Sequence, residues 1–125
     1  MKSERPIYIS VTQYAWPLTA IGSILHRLTG IALVAGTFYL LWLLSLALES
    51  EQGFWDVKQL LELNSQKVLV LITLIALFYH LFAGIKHLLM DLGIGETLIV
   101  ARRATVFSWV ATFLASLLAG LWLFT

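Results

Sequence analysis

The chain alternates between long apolar runs and short polar breaks. Its first sixteen residues, MKSERPIYISVTQYAW, are mixed in character. After Pro17 the stretch LTAIGSILHRLTG is amphipathic, and no charged residue occurs from Ile31 to Leu48. Further apolar runs extend from about Val68 to Met90 and from about Ala104 to Phe124. A helix crosses the roughly 30 Å hydrocarbon core of a bilayer in about 20 residues, so each run is long enough to span. The pattern predicts transmembrane helices over about 18–48, 68–90 and 104–124. Pro17 stands where a helix tolerates proline, in its first turn. The first span is longer than a bilayer needs, so its opening turns should lie at the interface, tilt, or be covered by protein. The first loop, ESEQGFWDVKQLLELNSQK, holds enough apolar residues (Phe54, Trp55, Leu60, Leu61, Leu63) to predict a short interfacial helix. Gly93 and Gly95 should end the second span. Trp109 and Trp122 read as interface anchors near the two ends of the third.

Composition narrows the function classes. Of 125 residues, 60% are hydrophobic and only 12% are charged, about half the charged share of a soluble domain. A core of this size cannot hide so much apolar surface from water, so part of it must face lipid. Three spans leave no room for a separate soluble domain, and the chain reads as a single transmembrane domain, 1–125. A net charge of +1 gives no sign of nucleic acid binding. Cysteine is absent, which excludes disulfides, thiolate iron–sulfur ligation and thiol catalysis on this chain. Lys2, Arg5 and Arg27 lie on the N-terminal side, and Lys86, Arg102 and Arg103 lie around the second loop. The first loop has two lysines among four acids, and the C-terminus has none. The lysine and arginine bias therefore predicts a cytoplasmic N-terminal segment (1–17) and second loop, with the first loop and the C-terminus outside.

Charged and imidazole side chains are costly at membrane depth and face protein or a cavity. Two groups stand out. In the first span Ser23, His26, Arg27 and Gly30 fall at i, i+3, i+4 and i+7, on one face. In the second, His80, Gly84, His87 and Asp91 fall at i, i+4, i+7 and i+11, within about 40° of one another at 100° per residue. In the predicted orientation both faces meet at the cytoplasmic side. Two chemistries fit the convergence. One is a b-type haem with an imidazole as axial ligand and cations near its propionates. The other is a quinone site, whose carbonyls need hydrogen-bond donors such as a serine hydroxyl or an arginine. His80 lies about 10.5 Å deeper than His87 along the helix axis, which makes it the better candidate for the iron, with His87 nearer the propionates. Against these stand blander roles: Arg27, Lys86 and Asp91 as snorkelling residues, Ser23 bonding to its own helix, and Gly30 and Gly84 as packing positions. A three-span adaptor or transporter subunit without redox chemistry is the alternative from another class.

Two segments also carry a family resemblance. Arg5-Pro6, then Pro17, then Ser23-Ile24-Leu25-His26-Arg27-Leu28-Thr29 reproduce an RP start and an S-x-x-H-R-x-[ST] close. His80-Leu81-Phe82-Ala83-Gly84-Ile85-Lys86-His87-Leu88-Leu89-Met90-Asp91-Leu92-Gly93 follows H-x3-G-x-R-H-x-x-[aromatic or Met]-D-x-G, with Lys86 in place of the usual arginine. In these segments and in its three-span layout the chain resembles the cytochrome b556 membrane anchors of bacterial succinate dehydrogenase. The resemblance implies an all-α membrane protein, part of a heteromeric helix bundle around haem b. It implies His80 as this chain's axial ligand, with the other supplied by a second small haem-binding membrane anchor. His26, Arg27 and His87 would lie around the propionates, and Ser23 and Arg27 at ubiquinone. Asp91, Lys86 and Trp16 would support the site or deliver protons. Succinate oxidation would belong to a flavoprotein subunit and electron delivery to an iron–sulfur subunit. The chain would sit in the bacterial inner membrane with its C-terminus periplasmic. A close variant is the anchor of a fumarate reductase using menaquinone.

Overall fold

The structure, a computed structural model, describes residues 15–125. Arg5, Pro6 and the other residues of 1–14 lie outside the described residues. Four helices follow in order: α1 Leu18–Glu49, α2 Glu51–Glu62, α3 Asn64–Asp91 and α4 Leu98–Phe124. Helices α1, α3 and α4 are each long and apolar enough to cross a membrane.

Local chemistry sets their ends. Pro17 has no N–H to give, and its carbonyl accepts from Ala20 and Ile21 at 2.9 and 3.1 Å, starting α1. Ser50 alone separates α1 from α2, and its hydroxyl caps α2 by accepting from Gly53 N at 3.0 Å. Helix α2 then folds back on α1, with Gly53 directly against the Leu46 carbonyl and Val57 buried. This is the short helix expected in the first loop, and part of its covering role is to shield the far end of the long α1. Helix α3 ends in a Schellman motif. Gly93 N donates to Met90 O at 2.9 Å, Ile94 N donates to Leu89 O at 2.9 Å, and Gly93 takes φ +77°.

Helix α4 begins six residues ahead of the apolar run that starts at Ala104. Thr97 caps it by accepting from Val100 N, and Arg102 and Arg103, good helix formers, continue the helix although they are polar. The third helix therefore carries two charges in its opening turns. The earlier start also moves Trp109 away from any end of the helix. It donates from Nε1 to the Tyr79 hydroxyl at 3.2 Å, so it joins α4 to α3. Trp122, 76% exposed near the other end, keeps the anchoring position.

The packed interior is small and holds polar as well as apolar side chains. Ala101, Thr105, Ser108 and Thr112 are buried on α4, at i, i+4, i+7 and i+11, against Ala76, Tyr79, Ala83 and Lys86 on α3. Small residues let membrane helices approach closely where no hydrophobic drive exists between them. The three α4 hydroxyls satisfy themselves on their own helix, donating to the carbonyls of Ala101, Ala104 and Ser108 at 2.9, 2.9 and 2.7 Å. The large apolar side chains point outward instead, among them Ile31 and Phe38, each 70% exposed.

Candidate functional site

The site lies on the seam between α1 and α3, which run antiparallel and touch through glycines. A Cβ on Gly36 would meet Thr73, one on Gly30 would meet His80, and one on Gly84 would meet His26 Nε2. Each step down α1 is thus matched by a step up α3. Continued at 1.5 Å per residue, Ser23 comes level with His87, and Thr19 with Asp91.

Three imidazoles occupy the middle of this seam. The rings of His26 and His80 stack at 4.1 Å between centroids, 15° from parallel. His87 lies 5.2 Å from His26 on its other side, tilted by 49°. Gly30 is what allows the stack, since an added Cβ there would stand 3.0 Å from His80 Cε1.

His80 is oriented by α1. Its Nδ1 lies 3.1 Å from the backbone carbonyl of His26. A carbonyl can only accept, so Nδ1 carries the hydrogen and Nε2 keeps its lone pair. The Thr29 hydroxyl, which donates to Leu25 O and His26 O at 2.9 Å, sits 3.5 Å from the same Nδ1. An imidazole held this way, Nδ1–H on a carbonyl and Nε2 free, has the arrangement of a metal-ligating histidine. His80 opens onto an apolar groove lined by Gly30, Leu33, Val34, Thr37, Phe38 and Leu41. Among the described residues no group of three or more histidine or acidic side chains is placed to hold a metal ion.

His26 Nε2 and His87 Nε2 are buried and have no hydrogen-bond partner within the described residues. Burying a polar atom unpaired costs roughly 1–3 kcal/mol, so two such atoms on neighbouring rings mark a place shaped for a further polar group. Arg27 and Asp91 are exposed. Ser23 is half-buried one turn before His26. Trp16, 43% exposed, stands just ahead of α1.

Lys86 is buried toward α4, where Nζ donates to Thr105 Oγ1 at 3.4 Å. Tyr79, adjacent to His80 in sequence, also turns away from the imidazoles. Its hydroxyl donates to Gly22 O at 2.9 Å while accepting from Trp109, so a buried relay ties α4, α3 and α1 together just outside the site. Neither Thr105 nor this Tyr79–Trp109 pair is marked by a sequence motif. The signal that could have found them is the run of small hydroxyl residues at helical spacing on α4.

Comparison with known proteins fits this geometry. The family of succinate dehydrogenase/fumarate reductase transmembrane subunits matches residues 1–119. The chain is 39% identical over 124 residues to the succinate dehydrogenase cytochrome b556 subunit of Coxiella burnetii, covering 98% of this chain and 99% of that one. It is 35% identical over 108 residues to the cytochrome b556 subunit of Paracoccus denitrificans, covering 83% and 80%. It is 33% identical over 118 residues to the human mitochondrial cytochrome b560 subunit, covering 92% and 69%. With its three apolar helices and its histidine seam, the chain belongs to the family of succinate dehydrogenase/fumarate reductase transmembrane subunits and is a membrane anchor of that family.

Proposed function

We propose that this anchor holds a haem b through His80 and gives Ser23 and Arg27 to a ubiquinone-reduction site beside it. One observation carries the haem assignment: His80 lines an apolar groove and its Nδ1 is engaged by the His26 carbonyl, which leaves Nε2 for a ligand. The residues present fit the group in two further ways. The unpartnered nitrogens of His26 and His87 suit propionate oxygens, with Arg27 supplying a cation nearby. The glycines at 30 and 84 keep the seam free of side chains beside the rings. Relatives named as cytochrome b subunits support the same group. When bound, haem b supplies one-electron storage next to the quinone.

The rest of the proposed work belongs to the chain's own side chains. The Ser23 hydroxyl donates to a quinone carbonyl. The Arg27 guanidinium binds and orients the same end of the ring and stabilises negative charge there. Asp91, at the polar end of α3, holds a proton for delivery or fixes His87 or Arg27. Trp16 shapes the entrance. The proposed setting is a complex in the bacterial inner membrane, with the N-terminus cytoplasmic and the C-terminus periplasmic. A second small membrane anchor gives the other axial histidine. An iron–sulfur subunit delivers electrons drawn from succinate by a flavoprotein subunit.

The test is the reduced-minus-oxidised absorption spectrum of membranes that co-express this chain with its partners. His80→Ala should remove the b-type band, because hydrocarbon offers the iron no substitute ligand, while the complex still assembles. An unchanged band in an assembled complex sinks the assignment of His80.

A further inference from the structure

Lys86 is 7% exposed, five residues before the end of α3. An ammonium has three donors, and Thr105 takes one of them. No carboxylate pairs with it, since the one ion pair among the described residues is Lys67–Glu62. A buried cation at membrane depth is costly unless an anion compensates it. Asp91 and Glu96, the acids at the same end of the bundle, are both exposed and unpaired with it.

Lys86 lines a cleft of about 410 Å³ between α3 and α4, whose other walls include Phe82, Leu89, Ala104 and Phe107. At 100° per residue, Phe82 and Leu89 point about 160–180° away from His80. The cleft therefore opens on the side of α3 opposite the imidazoles and opposite whatever docks on them. Apolar walls and one buried cation without a counter-charge among the described residues are complementary to an amphiphile with an anionic head.

We propose that the α3–α4 cleft binds one anionic phospholipid, its phosphate against Lys86 and an acyl chain between Phe82, Leu89 and Phe107. Assembly of each variant is followed by co-purification of the partner subunits, which does not depend on haem content. The whole complex, purified in detergent, is incubated with phosphatidylglycerol, washed, and its retained lipid counted by mass spectrometry. Phosphatidylcholine serves as the zwitterionic control, and inorganic phosphate as competitor. One phosphatidylglycerol per complex should survive washing that strips phosphatidylcholine, and phosphate should not displace it. Lys86→Met should lower retention at least tenfold while the partner subunits still co-purify, and Lys86→Arg should restore it. Ala104→Phe, which fills the cleft and keeps the cation, should lower retention as well. Equal retention in Lys86→Met and the unsubstituted complex would overturn the proposal. So would displacement by inorganic phosphate, or a cross-link joining Lys86 to a carboxylate of another subunit.

Discussion

Gly30→Ala tests whether the histidine seam sets the electronic properties of the site. The new Cβ would stand 3.0 Å from His80 Cε1 and 3.4 Å from Nδ1, so the ring must retreat by a few tenths of an ångström. His26 blocks simple retreat, because its ring stacks 4.1 Å away. Movement therefore comes out of the Nδ1 to His26 carbonyl contact, 3.1 Å long, which passes out of hydrogen-bonding range at about 3.5 Å. Losing that bond costs about 0.5–1.5 kcal/mol. The overall stability change is a poor readout, since alanine in place of a mid-helix glycine returns about 1 kcal/mol of helix propensity. The haem midpoint potential is the better one. An imidazole that no longer donates from Nδ1 is a weaker base toward iron. The oxidised state is then less stabilised and the potential rises, by about 20–60 mV for a one-electron couple. A redox titration of the complex measures this directly. Gly36→Ala is the control, clashing with Thr73 Cγ2 at 2.6 Å on the same seam but away from any histidine. It should destabilise the complex and leave the potential alone. A Gly30→Ala potential that stays within a few millivolts, or a Gly36→Ala shift of equal size, refutes the reasoning.

Other predictions concern the frame and the quinone site. Tyr79→Phe removes a hydroxyl that serves both Gly22 O and Trp109 Nε1. At about 0.6 kcal/mol per interhelical bond in membranes, the loss should be about 1–2 kcal/mol in a denaturant titration, with the haem spectrum unmoved. Gly93→Ala meets no atom within 4 Å, so it should cost only the left-handed backbone term, about 1–2 kcal/mol. Gly95→Ala adds a clash with Val100 Cγ1 at 2.9 Å to a similar φ and should cost more in the same titration. Arg27→Leu would remove the proposed charge-assisted contact with the quinone, of about 1.5–3 kcal/mol. It should lower succinate–quinone reductase activity roughly 10- to 100-fold while sparing succinate oxidation by a soluble acceptor. Equal loss in both assays would assign Arg27 to assembly.

The spans and the two histidine faces were legible in the sequence, for separate reasons. Hydropathy marks a run that can enter lipid, and helical periodicity groups Ser23, His26 and Arg27, then His80 and His87, on shared faces. What periodicity omits is which face meets which helix. Lys86 sits only one residue from His87, but that residue is a 100° turn, enough to send it to Thr105 and not to the imidazoles. The α4 seam was illegible for a different reason. Thr105, Ser108 and Thr112 return their hydroxyls to their own helix, so in sequence they look like neutral passengers in an apolar span. The start of α4 was illegible because a charge-free window begins at Ala104, whereas the helix begins at its Thr97 cap. The direct stacking of His26 on His80 depends on Gly30, whose missing side chain carries no visible signal of what it makes room for.

The glycine contacts along α1 and α3 have a consequence for how this chain tolerates change in length. The site is coded as a count of residues along two rods, measured from shared points of contact, and the loops take no part in the count. Adding residues near Glu96, or lengthening the turn around Leu63, alters only the wiring between rods. Deleting one residue between Gly30 and Gly36 turns Ser23, His26 and Arg27 together by about 100° and shortens their reach by about 1.5 Å. Divergence among such anchors should therefore accumulate as insertions at the ends of the helices, with the spacing inside each rod held to the residue.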